Sequence, residues 1–165
     1  MEDKVDLYFM YTDKINKVLD QSKILLNDLL DRNQFINPKC VIFDIDDTLV
    51  TNNNIPITNV INFYNYIRKE LKLSTVIITA RRKTSEYHTK KLLENLKIDD
   101  YDHLFMRSNY YIKNISFYKY EIRRCLSEKY DIVANVGNYY TDFFGGHNGI
   151  IIKIPTIVEC IDQII

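Results

Sequence analysis

Hydrophobic and polar positions recur along the chain in two periods, one typical of helices and one typical of buried strands. From about Val5 to Leu30, apolar side chains appear every three or four positions between charged ones, without an internal Pro or Gly. This pattern predicts one amphipathic helix, or two in succession, that ends near residues 31–33. Its polar face mixes both signs of charge, which favours packing against the protein's own sheet over binding to a membrane surface.

Five short apolar runs follow, with helical patterns between most of them. The runs are residues 40–43, 74–80, 103–106, 132–136 and 150–154, and the helical patterns cover about 58–71, 84–96 and 115–129. Strands that alternate with helices predict an α/β fold with a mainly parallel five-stranded sheet and right-handed crossovers. Residues 49–57 have β-branched ends around an Asn-rich centre, which predicts a small hairpin or flap.

The length and the spacing of these elements predict a single domain. A chain of 165 residues can bury one full hydrophobic core. We expect residues 1–37 to form an N-terminal helical extension and residues 38–165 to form the core of the fold. No insertion of domain size interrupts the alternation, so we expect an open face at the strand ends, covered at most by the flap and the first helix.

Composition excludes several classes of protein. Lys+Arg and Asp+Glu number 22 each, and this balance argues against a general binder of nucleic acids or anionic membranes. No basic region followed by an apolar stretch opens the chain, and no segment is long enough to span a membrane, so we expect an intracellular protein. Frequent Tyr, Ile, Asn and Lys without Trp suggest an AT-rich genome, such as that of a virus or a parasite. Cys40 and Cys125 lie in apolar patterns and are predicted to be reduced core residues.

The stretch Cys40–Val50, CVIFDIDDTLV, carries the first candidate chemistry. An apolar run stops abruptly, and Asp44, Asp46 and Asp47 follow within four positions. Carboxylates beside a buried strand are costly unless a cation, hydrogen bonds or protons compensate them, and parallel sheets bind ligands at the carboxyl ends of their strands. These facts favour a metal-assisted site. An acidic turn with Thr48 as a helix cap explains the same residues without any site.

Polar side chains that follow later elements could complete such a site. Thr79 lies near the end of the second apolar run, where a hydroxyl and consecutive backbone amides can hold phosphate oxygens. Asn138 and Asp142 follow the fourth run and offer oxygen atoms to a hard cation such as Mg²⁺. Lys119 could supply a fixed cation, although solubility or pairing with Glu explains Lys119 and Arg123 equally well.

The order of these residues resembles the four-part signature of the haloacid dehalogenase-like (HAD) superfamily, from about Val41 to Pro155. The signature consists of Asp-x-Asp-x-Thr, then Thr, then Lys, then Gly-Asn-x-x-x-Asp. The stretch IVANVGNYYTDFFGG followed by IIIKIP, and a helix before the first motif, are similar to subfamily IIIB, the class B-type acid phosphatases of plants and bacteria. The resemblance implies a three-layer Rossmann-like domain with a minimal cap or none. It also implies a Mg²⁺-dependent phosphomonoester hydrolase.

The resemblance implies catalytic roles for four residues. Asp44 would attack phosphorus and become an aspartyl phosphate, and Asp46 would act as general acid and then as general base. Thr79 would hydrogen-bond the phosphoryl oxygens, and Lys119 would neutralise them. A small phosphorylated molecule would be the substrate.

The same resemblance implies that Asp44, Asp46, Asn138 and Asp142 hold Mg²⁺. Relatives usually carry Gly-Asp where this chain has Gly137 and Asn138. One negative charge is therefore missing near the metal, which predicts weaker Mg²⁺ affinity. A non-catalytic protein that keeps the fold for binding or storage, and a phosphotransferase with the same intermediate, remain alternative functions.

An aromatic cluster beside the last motif leaves its role open. It could stack on a nucleobase or an aryl ring, pack in the core or form a homodimer contact. The cluster consists of Tyr139, Tyr140, Phe143 and Phe144.

Overall fold

The structure is a computed structural model that describes residues 2–32 and 34–161, with side chains described from residue 7 to residue 160 within those ranges. The first element is one continuous helix, α1 (Glu2–Asp31), which decides between the one or two helices that the hydrophobic pattern allowed. Of the predicted helix end at residues 31–33, position 33 lies outside the described residues. None of the described helices is both long enough and apolar enough to cross a membrane.

Five parallel strands form one sheet, which confirms the predicted α/β fold. The strands are β1 (Lys39–Phe43), β2 (Ser74–Arg82), β3 (His103–Arg107), β4 (Asp131–Gly137) and β5 (Ile150–Lys153). Their spatial order is β3-β2-β1-β4-β5, so β1 is the central strand. Strand β2 runs two residues beyond its predicted end, and its pairing with β3 is irregular between Thr79 and Arg82.

Helices of very different lengths connect the strands or follow the last of them. They are α2 (Thr58–Asn65), which continues as a π-helical turn (Tyr66–Glu70), α3 (Glu86–Asn95) after a 3-10 turn (Lys83–Ser85), α4 (Ile115–Leu126), α5 (Tyr140–Phe143) and α6 (Ile157–Ile161). The sequence did not predict α5 and α6, because four or five residues are too few to show a helical period.

The core lies on both faces of the sheet. Phe43 and the inward residues of α1 and α2 belong to the larger cluster, whereas Ile42 packs with Tyr118 of α4 in the smaller one. Successive strand residues point to opposite faces, which explains why neighbours in β1 belong to different clusters. Cys40 is buried as predicted, but the prediction for Cys125 is wrong. Cys125 is exposed because α4 turns Tyr118, Ile122 and Leu126 toward the smaller cluster instead.

Candidate active site

Three loops meet at the carboxyl edge of the sheet. Phe43 of β1 is in register with Ile77 of β2 and with Val136 of β4. Asp44, Thr79 and Asn138 follow these three positions by one or two residues, so the sheet places them along the same edge. The backbone N–H of Asp44 donates to the Val136 carbonyl at 3.0 Å and fixes the exit of β1.

A buried cluster of three charged side chains occupies this edge. The Lys119 ammonium group donates to Asp44 Oδ1 at 2.7 Å and to Asp142 Oδ1 at 2.5 Å. All three residues are buried, with 4% of the Lys119 side chain exposed. Removing a lysine from water is costly unless carboxylates compensate it, so Lys119 is not the solvated helix residue that the sequence also allowed. Two carboxylates and one ammonium leave the cluster with a formal charge of −1.

The electrostatics of the cluster follow from burial. Burial raises the pKa of Asp44 to about 7, with Lys119 opposing the rise and Asp142 adding to it. Burial also pulls the pKa of Lys119 down, but the two carboxylates together outweigh it, so this pKa is raised. The lysine therefore stays charged, and the surplus negative charge is carried by the two aspartates.

The Asp142 carboxylate is held from two sides. Its Oδ2 atom accepts hydrogen bonds from the backbone N–H groups of Asn138 at 3.0 Å and Tyr139 at 2.9 Å, and its Oδ1 atom accepts from Lys119. Gly137 makes this approach possible, because a Cβ at that position would lie 2.5 Å from Asp142 Oδ2. Because both oxygens accept hydrogen bonds, Asp142 fixes the positions of Lys119 and of the backbone at Asn138.

Asn138 carries the clearest sign of a ligand at the site. The side chain is buried, and neither Oδ1 nor Nδ2 has a hydrogen-bond partner among the described residues. Such orphaned polar atoms are rare in folded proteins because burying them costs free energy. Mg²⁺ prefers carboxylate and carbonyl oxygens, so Asp44 and the Asn138 amide oxygen fit a divalent cation. Within the described residues, no group of three or more His, Cys, Asp or Glu side chains could hold a metal by itself.

The Asp46 carboxylate is bound by an arginine that sequence reasoning did not assign. Arg81 donates from Nε to Asp46 Oδ2 at 3.0 Å and from Nη2 to Asp46 Oδ1 at 2.6 Å. Nη2 also donates to Asn54 Oδ1 at 3.0 Å, which connects Asp46 to the flap. Asp46 is only partly buried, so its carboxylate remains accessible beside Asp44. The available signal was the position of Arg81, two residues after Thr79.

The sequence suggested that Thr79 lies at the end of its strand. In the structure Thr79 lies inside β2, which continues to Arg82. Its side chain is fully buried, and its hydroxyl oxygen accepts from the Arg81 backbone N–H at 3.2 Å. The irregular pairing of β2 begins at this residue. The same distortion turns the following residues toward the loop of Asp46.

Arg123 is the second arginine whose role the sequence did not reveal. Its side chain is 1% exposed, and its guanidinium donates to the backbone carbonyls of Asp142 at 2.7 Å and of Phe144. Asn135 Nδ2 also donates to the Asp142 carbonyl, at 2.8 Å. These contacts fix the loop that carries Asp142. The signal was the spacing of four residues from Lys119, which places both side chains on the same face of α4.

The predicted flap is present and borders a large cavity. Val50 bridges Pro56, and the Thr51 backbone N–H donates to the Ile55 carbonyl at 2.8 Å. A cavity of about 590 Å³ lies between this flap, Tyr11 of α1, the loop after β4 and residues 156–159. The flap and the first helix border the face as predicted, but the C-terminal segment was not expected there. Of the four clustered aromatic residues, Tyr139 lines this cavity.

Comparison with known protein families shows which family the chain belongs to. The family model for the HAD superfamily, subfamily IIIB (acid phosphatase), matches residues 52–158, more than half of the chain. The chain belongs to this family. The matched segment includes Thr79, Lys119, Asn138 and Asp142, and it begins after Asp44 and Asp46.

Solved structures share the fold of this subfamily IIIB phosphatase. The class C acid phosphatase from Bacillus anthracis with tungstate bound superimposes with a TM-score of 0.71 at 16% identity, over 87% of this chain and 77% of that one. A second structure of the Bacillus anthracis enzyme gives a TM-score of 0.67 at 16% identity, over 86% and 78% of the two chains.

A chain from a multiprotein complex also shares the fold, with a lower TM-score. A chain of the Pnkp1/Rnl/Hen1 RNA repair complex gives a TM-score of 0.61 at 21% identity, over 72% of this chain and 43% of that one. At these identities the structures support the HAD fold alone. No curated protein sequence matches this HAD phosphatase.

Proposed function

We propose that this phosphatase hydrolyses small phosphomonoesters with Mg²⁺ and through an aspartyl phosphate on Asp44. The observation that carries the proposal is the buried cluster of Asp44, Lys119 and Asp142 beside the orphaned amide of Asn138. Membership in the subfamily IIIB acid phosphatases supports hydrolysis of phosphomonoesters as the reaction. The intermediate, the metal and the residue roles are inferred from the chemistry of the site.

In the first step, a carboxylate oxygen of Asp44 attacks phosphorus while the bond to the leaving-group oxygen breaks. The product is an acyl phosphate on Asp44 and a free alcohol. Water then attacks the same phosphorus, releases inorganic phosphate and restores the carboxylate. Covalent catalysis of this kind divides one difficult displacement into two easier ones.

Two side chains would lower the repulsion between the phosphoryl group and Asp44. Lys119 places a fixed positive charge 2.7 Å from the attacking carboxylate, in a buried environment where the charge acts strongly. The Thr79 hydroxyl lies at the same edge of the sheet and can donate to a phosphoryl oxygen. Phosphoryl transfer depends mainly on such positioning and charge compensation.

Asp46 would move the protons. As a carboxylic acid it donates a proton to the leaving oxygen, and as a carboxylate it accepts one from the attacking water. Arg81 holds this group in one orientation through a two-point contact. Arg81 is therefore a positioning residue for Asp46.

The Mg²⁺ site would use Asp44, the Asn138 amide oxygen and the backbone carbonyl of Asp46. When bound, the ion supplies positive charge that lowers the repulsion between the nucleophile and the phosphate dianion. The Asp142 carboxylate would not bind the ion directly, because both of its oxygens already accept hydrogen bonds. It would orient Asn138 through the backbone and fix Lys119.

The contacts of α1 support the proposed single domain, with residues 1–37 as an extension of the core. Ile15, Leu19 and Leu26 of α1 are buried in the same cluster as Phe43 and Val136 of the sheet. The extension therefore has no hydrophobic core of its own in the described residues.

A panel of phosphomonoesters assayed with and without added Mg²⁺ tests the proposed function. We expect turnover of an aryl phosphate in Mg²⁺ and its loss after chelation. The absence of turnover for every member of the panel in Mg²⁺ would instead support the non-catalytic alternative. Product analysis in the presence of an added alcohol separates hydrolysis from phosphoryl transfer, because only the acceptor differs.

A further inference from the structure

The cavity of about 590 Å³ adjoins the candidate active site through two of its own loops. Asp47, next to Asp46, lines the cavity, and so does Asn138, whose backbone holds Asp142. Cavities of about 330 and 280 Å³ elsewhere in the described chain share no residue with the site. A phosphomonoester bound at Asp44 would therefore extend its leaving group into the larger cavity.

The charges around this cavity are unbalanced. Asp47 and Glu159 contribute two carboxylates to its lining, and the described lining residues include no Lys or Arg. Glu159 is paired with Lys153, so its charge is compensated. The hydrogen bonds described for Asp47 come from neutral groups, the Asn52 backbone N–H at 3.1 Å and the Tyr139 hydroxyl at 3.5 Å.

The charge of Asp47 acts on groups at both sides of the cavity. The pKa of Tyr11 is raised to about 12, mainly by burial and next by the negative charge of Asp47. The Tyr139 hydroxyl, which donates to Asp47 at 3.5 Å, lines the same cavity. Asp47 adopts a positive φ of 54°, and the hydrogen bonds from the Asn52 backbone N–H and the Tyr139 hydroxyl hold its carboxylate. The nearby Arg81 is already hydrogen-bonded to both carboxylate oxygens of Asp46.

We propose that Asp47 makes this cavity selective for phosphomonoesters with a neutral or positively charged leaving group. An ammonium group in the cavity would gain a carboxylate partner. A carboxylate or a second phosphate would meet Asp47 without any cation in the described lining, and repulsion of this kind is an effective source of specificity. This inference rests on the proposed phosphatase function and names the class of substrate for it.

Three benzyl phosphates of matched size test the proposal. Their para substituents are aminomethyl, ethyl and carboxymethyl, which are cationic, neutral and anionic near pH 7. The ring separates the charge from the ester oxygen, so the three leaving alcohols have similar intrinsic reactivity. We expect kcat/KM to fall from the cationic to the anionic ester by about 10-fold or more, as for one interaction between partly solvated charges.

Two variants assign the effect to Asp47. Asp47→Asn keeps an oxygen acceptor for the Asn52 amide and suits a positive φ, so it removes the charge with little change in shape. We expect it to bring the cationic-to-anionic ratio close to 1. Asp28→Asn removes a carboxylate roughly 25 Å along α1 from Tyr11 and should leave the ratio unchanged. In the wild type, raising the salt concentration from 0.05 to 0.5 M should also shrink the ratio, and this measurement does not depend on a variant.

The outcomes separate this inference from the proposed function. Equal kcat/KM values for the three esters, or a preference for the anionic one, would overturn the charge selection while the phosphatase function stands. If p-nitrophenyl phosphate is turned over and no benzyl ester is, the three esters are compared as competitive inhibitors of that reaction, and equal inhibition constants would overturn the charge selection. Failure of every ester, including p-nitrophenyl phosphate, would contradict the proposed function itself.

Discussion

The ammonium group of Lys119 lies 2.7 Å from the Asp44 carboxylate, and both side chains are buried at the carboxyl edge of the central strand. The same ammonium group contacts Asp142 at 2.5 Å. One lysine therefore bridges two buried carboxylates, one that follows β1 and one in α5. Loss of this lysine should affect both folding and chemistry.

Lys119→Met should abolish turnover and destabilise the fold. Two buried carboxylates would lose their shared cation, and breaking a buried ion pair in this way typically costs about 3 kcal/mol or more. The loss should grow as pH rises, because the carboxylates then become charged without a partner. Urea unfolding of the wild type and the variant at pH 5 and pH 8 measures this loss of unfolding free energy. Lys129→Met, an exposed lysine just after α4, should change stability by no more than about 0.5 kcal/mol. Equal effects of the two substitutions would contradict the role of Lys119.

The metal-free protein should become less stable as pH rises toward neutrality. The pKa of Asp44 in the folded protein is about 7, above its ordinary value of 3.8, so the folded state binds this proton more tightly than the unfolded chain does. The corresponding stability is fully present below pH 3.8 and is lost as pH rises through about 7.

Thermal unfolding in a chelator between pH 4 and pH 8 checks this dependence. Asp44→Asn, which removes the titrating group, should flatten the profile over that range. Saturating Mg²⁺ should also flatten it by compensating the charge. A profile that is identical in the wild type and in Asp44→Asn would show that Asp44 does not titrate there.

Much of this site could be predicted from the sequence because its residues lie at recognisable places in the chain. Asp44 follows a buried strand and Asn138 follows another, so the topology of a parallel sheet brings them to one edge. Arg123 could not be assigned in the same way. A charged residue in a helix is normally solvated, and the sequence does not show that the carbonyls of the Asp142 loop require a donor at this position.

Arg81 and the cavity illustrate a second limit. The irregular pairing of β2 after Thr79 directs Arg81 toward Asp46, and such local distortions leave no clear pattern in a sequence. Residues 156–159 enter the cavity through tertiary packing of a segment too short to show a period. Periodicity predicts which elements form, but not which side chains meet at their ends.

Asn138→Asp should strengthen Mg²⁺ binding. The substitution adds a carboxylate where a buried amide oxygen has no partner. We expect half-saturation at a Mg²⁺ concentration lower by about 10-fold, since changes around a metal ion typically alter affinity by about 10- to 100-fold. The variant should also unfold at a lower temperature without metal, and its gain in melting temperature on adding Mg²⁺ should exceed that of the wild type.

Asn95→Asp is the matched control for that experiment. Asn95 ends α3 and is exposed, so the same change of charge there should alter neither the half-saturation nor the response of the melting temperature to Mg²⁺. Equal half-saturation in the wild type and in Asn138→Asp would exclude Asn138 as a metal ligand.

Arg81→Gln should slow the reaction by releasing Asp46. Loss of the two-point contact leaves the acid–base group without a fixed orientation, and misplacement of a catalytic group can cost about 100-fold. The loss in kcat/KM should be larger for an alkyl phosphate than for p-nitrophenyl phosphate, because only the poor leaving group needs a proton. Arg82→Gln, whose native side chain donates to the Asn109 carbonyl, should leave this difference unchanged. A loss that is the same for both substrates would mean that Arg81 does not act through Asp46.

Covalent catalysis by Asp44 is tested directly by trapping the phosphate on Asp44 in the variant Asp46→Asn. With p-nitrophenyl phosphate, the first step needs little acid, whereas the second step still requires a base, so the intermediate should accumulate. Acid quenching followed by hydroxylamine converts an acyl phosphate into a hydroxamate, which peptide mass spectrometry locates. We expect a hydroxamate at Asp44 that forms only with Mg²⁺ and substrate. Release of p-nitrophenol without a hydroxamate at Asp44, or with one at another carboxylate, would contradict it.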